Sequence, residues 1–440
     1  MSYQEKALKK IETENLPITA LERCSQKVKD LLEKKYIIDV HSHLFDIRCI
    51  NKWYFLLRFV KDFLGIKSYS KGSDSVYFSE EEIYQNISTY NRDWEEDLLN
   101  EFDNPNEHFG MKSIGQKGII DFWNARKFLS FKKMSQVYKH YINNFSLAEN
   151  FKDIPTKNVL ITALMMDLEI GWNTKIRKSF YQQIKELKTL SKNYPVLPFL
   201  FCDPRRADFK SNRKNLYDLF NFAFCEGQSF FGVKIYPALG YDPSDYRLWP
   251  IYKICQEYKI PVLTHCGGET VSTSETILEV YEGEEKVVIK ANNRKEMAYK
   301  LNDPNRWKLV LEKFPNLKLN FAHFGGYETW EEVTPVNLND DPQQRKETII
   351  NFIKKYSNVY ADFSYNIVEN KLSKNLKTVL YYSEEVRDKT MFGTDYWVVN
   401  PEGDLRREQK EFLDIMYSGI PELDLPQKLC FDNPKKYLFE

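Results

Sequence analysis

IIDVHSH, residues 37–43, joins a short apolar run to two histidines. The run lacks the alternation of polar and apolar residues that a strand with one solvated face shows, and it is typical of a parallel strand buried on both faces. Positions i and i+2 of a strand point to the same face, so His41 and His43 would project together. The stretch therefore predicts a buried strand with two converging imidazoles at its end.

Seven more apolar runs of this kind follow along the chain. They are 159–166 (VLITALMM), 196–202 (VLPFLFC), 230–236 (FFGVKIY), 261–266 (PVLTHC), 317–323 (LKLNFAH), 359–363 (VYADF) and 391–395 (MFGTD). Stretches with helical periodicity separate most of them, so strand and helix alternate eight times. An α/β fold of the (β/α)8 TIM-barrel class is predicted, because eight such repeats are what this barrel requires.

Several predicted helices begin at an Asp-Pro pair. The aspartate can accept hydrogen bonds from the first turn, and proline lacks the N–H group that would be unpaired there. The predicted helices are 212–226, 243–258 after Asp242, 304–314 after Asp303, and 342–356 after Asp341. Residues 269–302 and 324–341 are predicted as long loops.

The gap between the first two strands is too wide for a simple connection. We predict a barrel over residues 37–440, interrupted by a mainly helical insertion at 45–157, and a helical extension at 1–36. In a barrel this insertion leaves from the carboxyl-terminal face of the strands, so it is a predicted lid over the mouth. The alternative is a helical decoration that only stabilises the fold.

The charge balance excludes one class of partner. Lys+Arg and Asp+Glu each number 63, which gives a formal net charge of +0 over 440 residues. A dedicated nucleic-acid-binding protein would show a basic excess. No apolar run approaches the roughly 18 residues of a membrane helix, and the first residues lack the apolar segment of a signal peptide. The sequence predicts a cytoplasmic protein without a nucleic-acid or membrane partner, and leaves homo-oligomerisation open.

Four of the six histidines fall at predicted strand ends: His41, His43, His265 and His323. The other two lie in the insertion. The carboxyl ends of barrel strands converge on one site, so these four imidazoles and Asp395 after the eighth strand would form one cluster. Imidazole and carboxylate are common ligands of divalent metals. Taken alone, each group has an ordinary structural role, but the joint placement predicts a metal site.

Asp395, in the segment FGTDY at 392–396, would lie beside the first strand of a closed barrel. A carboxylate that touches both metal and water can accept the water's proton and later pass it to a leaving group. The alternative is an aspartate that ends a strand or caps a helix.

Lys234 lies inside the apolar segment GVKIY at 232–236. A buried ammonium needs a partner or a polar cavity, because burying it unpaired is costly. Three alternatives stay open: a carbamate formed with carbon dioxide that bridges two metals, a cation that contacts a substrate anion, and a salt-bridged lysine at the barrel rim.

Together the motifs IDVHSH, FCDPRR, GVKIYPALGY, VLTHCGG, LNFAHFGG, MFGTDY and FDNPKKYL resemble the amidohydrolase superfamily, within it the amidohydrolase-related branch called family 2. The resemblance runs from about residue 37 to the carboxyl terminus and skips the insertion.

The resemblance implies one divalent ion, usually zinc, held by His41, His43, His265 and Asp395. It implies that His323 either polarises the substrate or ligates a second ion, and that Lys234, if carboxylated, bridges the two ions. This branch more often holds a single ion, so one is expected.

The sequence therefore predicts a metal-dependent hydrolase of a small-molecule amide, ester or lactone, with a metal-activated water, Asp395 as proton shuttle and His323 as the second catalytic residue. Two alternatives are a lyase that decarboxylates or hydrates a carboxylic acid on the same barrel, and a barrel that has lost catalysis and only binds. Candidate substrate contacts, all just past strand ends, are Arg205, Arg206, Tyr236, Glu269 and Trp397.

Overall fold

A computed structural model describes most of the predicted barrel and part of the insertion. The described residues are 19–50, 130–145, 157–172, 174–227, 229–267, 271–331, 342–396 and 405–440, with single positions at 3–17 and at 155. Glu269, Trp397, Asp341 and most of the predicted insertion lie outside them. The division into domains predicted above stays a prediction.

Eight parallel strands form one sheet, and their order in the sheet follows their order along the chain. A bridge between Ser42 and Tyr396 joins the last strand to the first. The strands are β1 (Ile37–Ser42), β2 (Val159–Leu164), β3 (Val196–Phe201), β4 (Gly232–Ile235), β5 (Val262–Thr264), β8 (Leu319–Phe321), β9 (Val359–Asp362) and β10 (Thr390–Met391). The predicted (β/α)8 barrel is confirmed, and each strand lies within or next to a predicted apolar run.

The barrel closes along residues 40–43 and 392–396, which we call the closing seam. Val40 N donates to Phe392 O at 3.2 Å, and Asp395 N donates to His41 O at 2.8 Å. Every strand residue in the barrel is buried, as continuous apolar strands covered on both faces require. The seam thus brings the two ends of the barrel sheet together at the point where the sequence places the first histidine pair and the last aspartate.

Helices connect the strands. They are α1 (Ala20–Arg23), α2 (Gln26–Leu32), α3 (Met134–Asn144), α4 (Leu168–Gly171), α5 (Phe180–Asn193), α6 (Leu216–Phe224), α7 (Trp249–Glu257), α8 (Arg294–Leu301), α9 (Lys308–Lys313), α10 (Pro342–Lys355), α11 (Asn370–Tyr382), α12 (Glu384–Arg387), α13 (Leu405–Tyr417), α14 (Leu425–Gln427) and α15 (Asn433–Phe439). Val28 and Leu31 of α2 share a hydrophobic cluster with Ile38 of β1 and Tyr437 of α15. The amino- and carboxyl-terminal helices therefore pack on the barrel core.

Two helix starts differ from the prediction. The Asp242 side chain accepts from Ser244 N at 2.7 Å and from Arg306 Nη1 at 2.5 Å, so it does not cap the next helix. Asp245 caps a short 3₁₀ turn instead, and α7 begins only at Trp249. The helix predicted from residue 212 begins at Leu216, because Asn215 supplies its amino-terminal cap. Asp303 caps the next turn as predicted.

The segment predicted as a loop at 269–302 contains regular structure. An antiparallel hairpin of β6 (Ile277–Glu282) and β7 (Glu285–Lys290) precedes α8. Val280 and Ile289 of the hairpin pack against Met297 and Leu301 of α8. The loop prediction was wrong here because a two-stranded ribbon is stable only when it packs against another element. The sequence of a single strand does not reveal that it will pack against a helix. Within the described part of the chain, no helix combines the length and apolarity needed to cross a membrane.

Candidate metal centre

The closing seam brings His41, His43 and Asp395 to one point. The Asp395 Oδ1 atom lies 3.3 Å from the Nε2 atom of His41 and 3.3 Å from the Nε2 atom of His43. All three side chains are buried, and their ligand atoms lie within 4.8 Å of one another. These three residues were predicted as ligands, and the structure places them in a group that could hold a metal ion.

Hydrogen bonds fix which nitrogen of each imidazole carries a proton. The Nδ1 atom of His43 lies 3.2 Å from the carbonyl oxygen of Leu164, which can only accept, so this nitrogen donates. The Nδ1 atom of His41 lies 3.0 Å from Ser364 Oγ and 3.3 Å from Asp362 Oδ2. On each ring, the nitrogen that faces the Asp395 carboxylate is then Nε2. Two imidazole nitrogens and a carboxylate oxygen that face one another are the donor atoms that a divalent cation uses.

A second group consists of His41, His323 and Asp362. Asp362, at the end of β9, was not predicted. Its Oδ1 atom accepts from the backbone N–H of Ser364 at 3.1 Å and of His323 at 3.3 Å, and its Oδ2 atom accepts from Asn320 Nδ2 at 2.7 Å. The Ser364 hydroxyl also donates to it. The carboxylate of Asp362 is thus occupied by hydrogen bonds and orients the rings around it.

His265 joins the cluster through His323. Its Nδ1 atom lies 3.1 Å from His323 Nε2, and the Nδ1 atom of His323 lies 3.1 Å from the carbonyl oxygen of Ser364. Because that carbonyl only accepts, His323 donates from Nδ1 and accepts from His265 at Nε2. This order leaves the lone pair of His265 on Nε2. The ring of His265 stacks on Tyr236, with centroids 4.0 Å apart.

Among the described residues, three buried nitrogens at the mouth lack a hydrogen-bond partner: His41 Nε2, His265 Nε2 and Lys234 Nζ. Buried polar atoms are nearly always hydrogen-bonded, and exceptions often mark a site for an ion or ligand. His265 is in neither three-residue group, but its unpartnered Nε2 is the atom that a ligand role would use.

Burial sets the charge states of the site. It lowers the pKa of His41 to about 3 and that of Lys234 to about 7, and it holds the pKa of His265 well below its ordinary range. Burial alone would raise the pKa of Asp395, but the neighbouring histidines, His41 foremost, lower it to about 2. At neutral pH these groups offer neutral imidazoles and an ionised carboxylate, the forms that bind metals.

Backbone strain is concentrated at this end of the barrel. Among the non-glycine residues of the described chain with positive φ, four follow β8, β9 and β10: His323 (58°), Phe324 (43°), Tyr365 (62°) and Asp395 (52°). Such conformations cost free energy and cluster at functional sites. Gly393 has a different constraint, because a Cβ atom there would lie 2.7 Å from the Cβ of His41. The close approach of the last strand to His41 thus requires glycine.

The two predicted arginines are held by carboxylates. Arg205 Nη2 donates to Asp203 Oδ2 at 2.6 Å, and its side chain is 30% exposed. Arg206 is 2% exposed and pairs with Asp167 and Glu169. Of the other predicted substrate contacts, Tyr236 lies against His265 at the mouth, whereas Glu269 and Trp397 lie outside the described residues.

Replacing Arg206 with methionine is expected to lower the free energy of unfolding by about 3–5 kcal/mol, because the buried Asp167 carboxylate would lose its partner. Urea denaturation of the two proteins measures this difference. As a control, Lys428→Met removes a pair with Asp388 that is about one third exposed; we expect it to cost under about 1 kcal/mol. Equal losses in the two variants would mean that Arg206 is not a buried structural cation.

Comparison with known proteins gives one family. Residues 223–439 match the family model described as amidohydrolase. No curated protein matches this chain. Solved structures with similarity include a 4-oxalomesaconate hydratase from Rhodopseudomonas palustris, with 13% identity over 91% of this chain and 95% of that one and a TM-score of 0.42.

Two further solved structures are similar to this chain. A dihydroorotase from Saccharomyces cerevisiae shows 16% identity over 69% of this chain and 80% of that one, with a TM-score of 0.39. An amidohydrolase from Burkholderia multivorans with bound zinc shows 11% identity over 64% and 83%, with a TM-score of 0.36. The carboxyl-terminal part of the chain, residues 223–439, thus matches the amidohydrolase family, and the parallel eight-stranded barrel is the fold expected of that superfamily of enzymes.

Proposed function

We propose that this enzyme is a metal-dependent hydrolase that holds one divalent ion, zinc, on His41, His43, His265 and Asp395. The observation that carries the proposal is that the Nε2 atoms of His41 and His43 both lie 3.3 Å from the carboxylate of Asp395. Three imidazoles and one carboxylate form a donor set that suits zinc. The unpartnered Nε2 of His265 supports its place in this set.

A bound divalent ion would supply two things here: a lowered pKa for water and polarisation of the substrate carbonyl. Asp395 is ionised and nearly enclosed, so its carboxylate can take a proton from the attacking water and return it to the departing nitrogen or oxygen. Its position is fixed by the backbone hydrogen bond to His41 O at 2.8 Å. Asp395 is therefore our proposed proton shuttle.

His323 is the second proposed catalytic residue. Its ring lies next to those of His41 and His265, with centroid distances of 4.8 and 4.7 Å. Its Nε2 atom accepts from His265 Nδ1, so His323 can donate to a substrate carbonyl only when it carries an added proton and this hydrogen bond opens. In the arrangement described, His323 orients His265.

We propose one ion and not two. The donor atoms of the second group are already satisfied by one another and by Ser364, whereas His41 Nε2, which faces Asp395, has no hydrogen-bond partner among the described residues. Lys234 then remains an uncarboxylated amine beside the site. Elemental analysis of the purified protein should give about one ion per chain, and a ratio near two would instead make Lys234 a bridging ligand.

Hydrolysis is favoured over the lyase alternative because Arg205 and Arg206 already form ion pairs with aspartates. A lyase that acts on a carboxylic acid needs a cation for the substrate carboxylate, and the two arginines predicted for this role are paired with Asp203 and with Asp167. Lys234 has no hydrogen-bond partner among the described residues, but burial lowers its pKa to about 7, so it is only partly protonated at neutral pH and is a weak anchor for a carboxylate. Substrate identity is thus narrowed to small molecules with a carbonyl carbon open to attack by water.

The test compares metal-free and zinc-reloaded protein on a p-nitrophenyl ester, a lactone, an anilide and an aromatic carboxylic acid. We expect zinc-dependent release of nitrophenol, hydroxy acid or aniline, and none from metal-free protein. Release of carbon dioxide from the acid, without cleavage of any of the other three, would overturn the hydrolase and favour the lyase.

A further inference from the structure

We propose that Tyr141, on helix α3 of the insertion, is a positioning residue for the metal centre and acts through Asp39. This inference rests on the proposed function, because it concerns the same ion. It assigns the insertion a role in shaping the ligand set.

Asp39 links the two segments that carry the ligands. Its carboxylate accepts from the backbone N–H of His41 at 3.0 Å and from the Ser42 hydroxyl at 2.6 Å, both in β1. It also accepts from the N–H and the hydroxyl of Thr394 at 3.0 and 2.6 Å, one residue before Asp395. The spacing of His41 from Asp395 therefore depends on where this carboxylate lies.

Tyr141 donates its phenolic O–H to Asp39 Oδ2 at 2.7 Å. The other donors to Asp39 in the described chain belong to the two segments that carry the ligands, whereas Tyr141 belongs to neither. Asp39 is fully buried, and no lysine or arginine is among the described groups that act on it, so each donor matters for holding the carboxylate in place. Loss of this one bond would let the carboxylate move relative to both segments.

The ring of Tyr141 contacts the same region a second time. It packs edge-on against Tyr396, with centroids 4.7 Å apart, and Tyr396 follows Asp395 directly. His140, the preceding residue of α3, lies 2.5 Å from the Tyr396 hydroxyl through its Nδ1 atom. Helix α3 thus contacts the first strand of the barrel and the segment after the last strand, beside the ligands.

The test measures zinc affinity by competition with a chromogenic chelator. We expect Tyr141→Phe, which keeps the ring and removes the hydroxyl, to bind zinc about 10–100-fold more weakly, the usual cost of losing an outer partner of a metal site. Tyr138→Phe is the matched control: Tyr138 is one turn earlier on α3, is also buried, and packs its ring against Tyr194 at 4.3 Å. It should bind zinc as wild type does.

Two further readouts separate positioning from a loss of stability. The visible spectrum of the cobalt-substituted protein reports ligand geometry, and it should change in Tyr141→Phe but not in Tyr138→Phe. In an Asp39→Asn background, Tyr141→Phe should have little additional effect on zinc affinity, because the two residues act as one unit.

Wild-type affinity and spectrum in Tyr141→Phe would overturn the inference while leaving the proposed function intact. Failure of the wild-type protein to bind zinc would instead overturn the proposed function. Should Asp39→Asn not fold, the affinity and the cobalt spectrum of Tyr141→Phe decide on their own.

Discussion

His43→Ala is expected to empty the metal centre while the barrel stays folded. The imidazole of His43 donates a hydrogen bond to the carbonyl of Leu164, and its Nε2 atom faces Asp395. Its removal takes away a ligand and little structural support. His41 is less suitable for this test, because its ring also contacts Asp362 and Ser364.

Elemental analysis after dialysis measures the effect of His43→Ala. We expect about one ion per chain in wild type and a small fraction of that in the variant, with loss of hydrolysis in parallel. Phe45→Ala is the control, because the ring of Phe45 packs against that of His43 at 5.8 Å but offers no ligand atom. Full metal content in His43→Ala would contradict its assignment as a ligand.

Asp395→Asn is expected to lower kcat by about 10²–10⁴-fold, the usual contribution of a positioned acid or base. Asparagine keeps the size of the side chain but cannot take a proton from water at neutral pH. The three imidazoles would retain part of the ion, so activity should fall much further than metal content. Initial rates at saturating zinc, on the substrate that wild type cleaves, separate the two effects.

The control for this prediction is Asp388→Asn, at a surface ion pair with Lys428 that is partly exposed. It should hydrolyse the substrate at the wild-type rate. A rate for Asp395→Asn within a few-fold of wild type, at equal zinc content, would remove Asp395 from the proton path and leave it as a ligand only.

The barrel could be predicted from sequence because each strand carries its own signal. The run at 37–43 and the seven that follow are continuously apolar, and this pattern depends only on burial of both faces. The convergence of His41, His43 and Asp395 followed from the fold, since the first and the eighth strand of the barrel, β1 and β10, are neighbours in any closed barrel. These three residues meet at the seam as expected.

The partners of the ligands could not be predicted in the same way. Asp362 lies at the end of a strand, as Asp395 does, and this position was the one feature of the sequence that could have marked Asp362 as a residue of the site. Asp39 looks like an isolated acid within an apolar strand, and three of its five hydrogen bonds in the described chain come from Tyr141 and Thr394, which are distant in sequence. Arg205 and Arg206 follow a strand end, as residues that contact a substrate would, but in the fold they form ion pairs with aspartates. The pairs of Arg206 with Asp167 and Glu169 are tertiary contacts that local patterns do not encode, whereas Asp203 lies only two residues from Arg205.

The closing seam has a consequence for the enzyme in the cell. The last strand of the barrel is only two residues long, and the proposed ligands lie on both sides of its junction with the first strand. An ion bound there would cross-link the two margins of the sheet where their pairing is shortest. Since binding to the folded state alone stabilises that state, zinc supply would govern how much of the enzyme survives quality control as well as how fast it works.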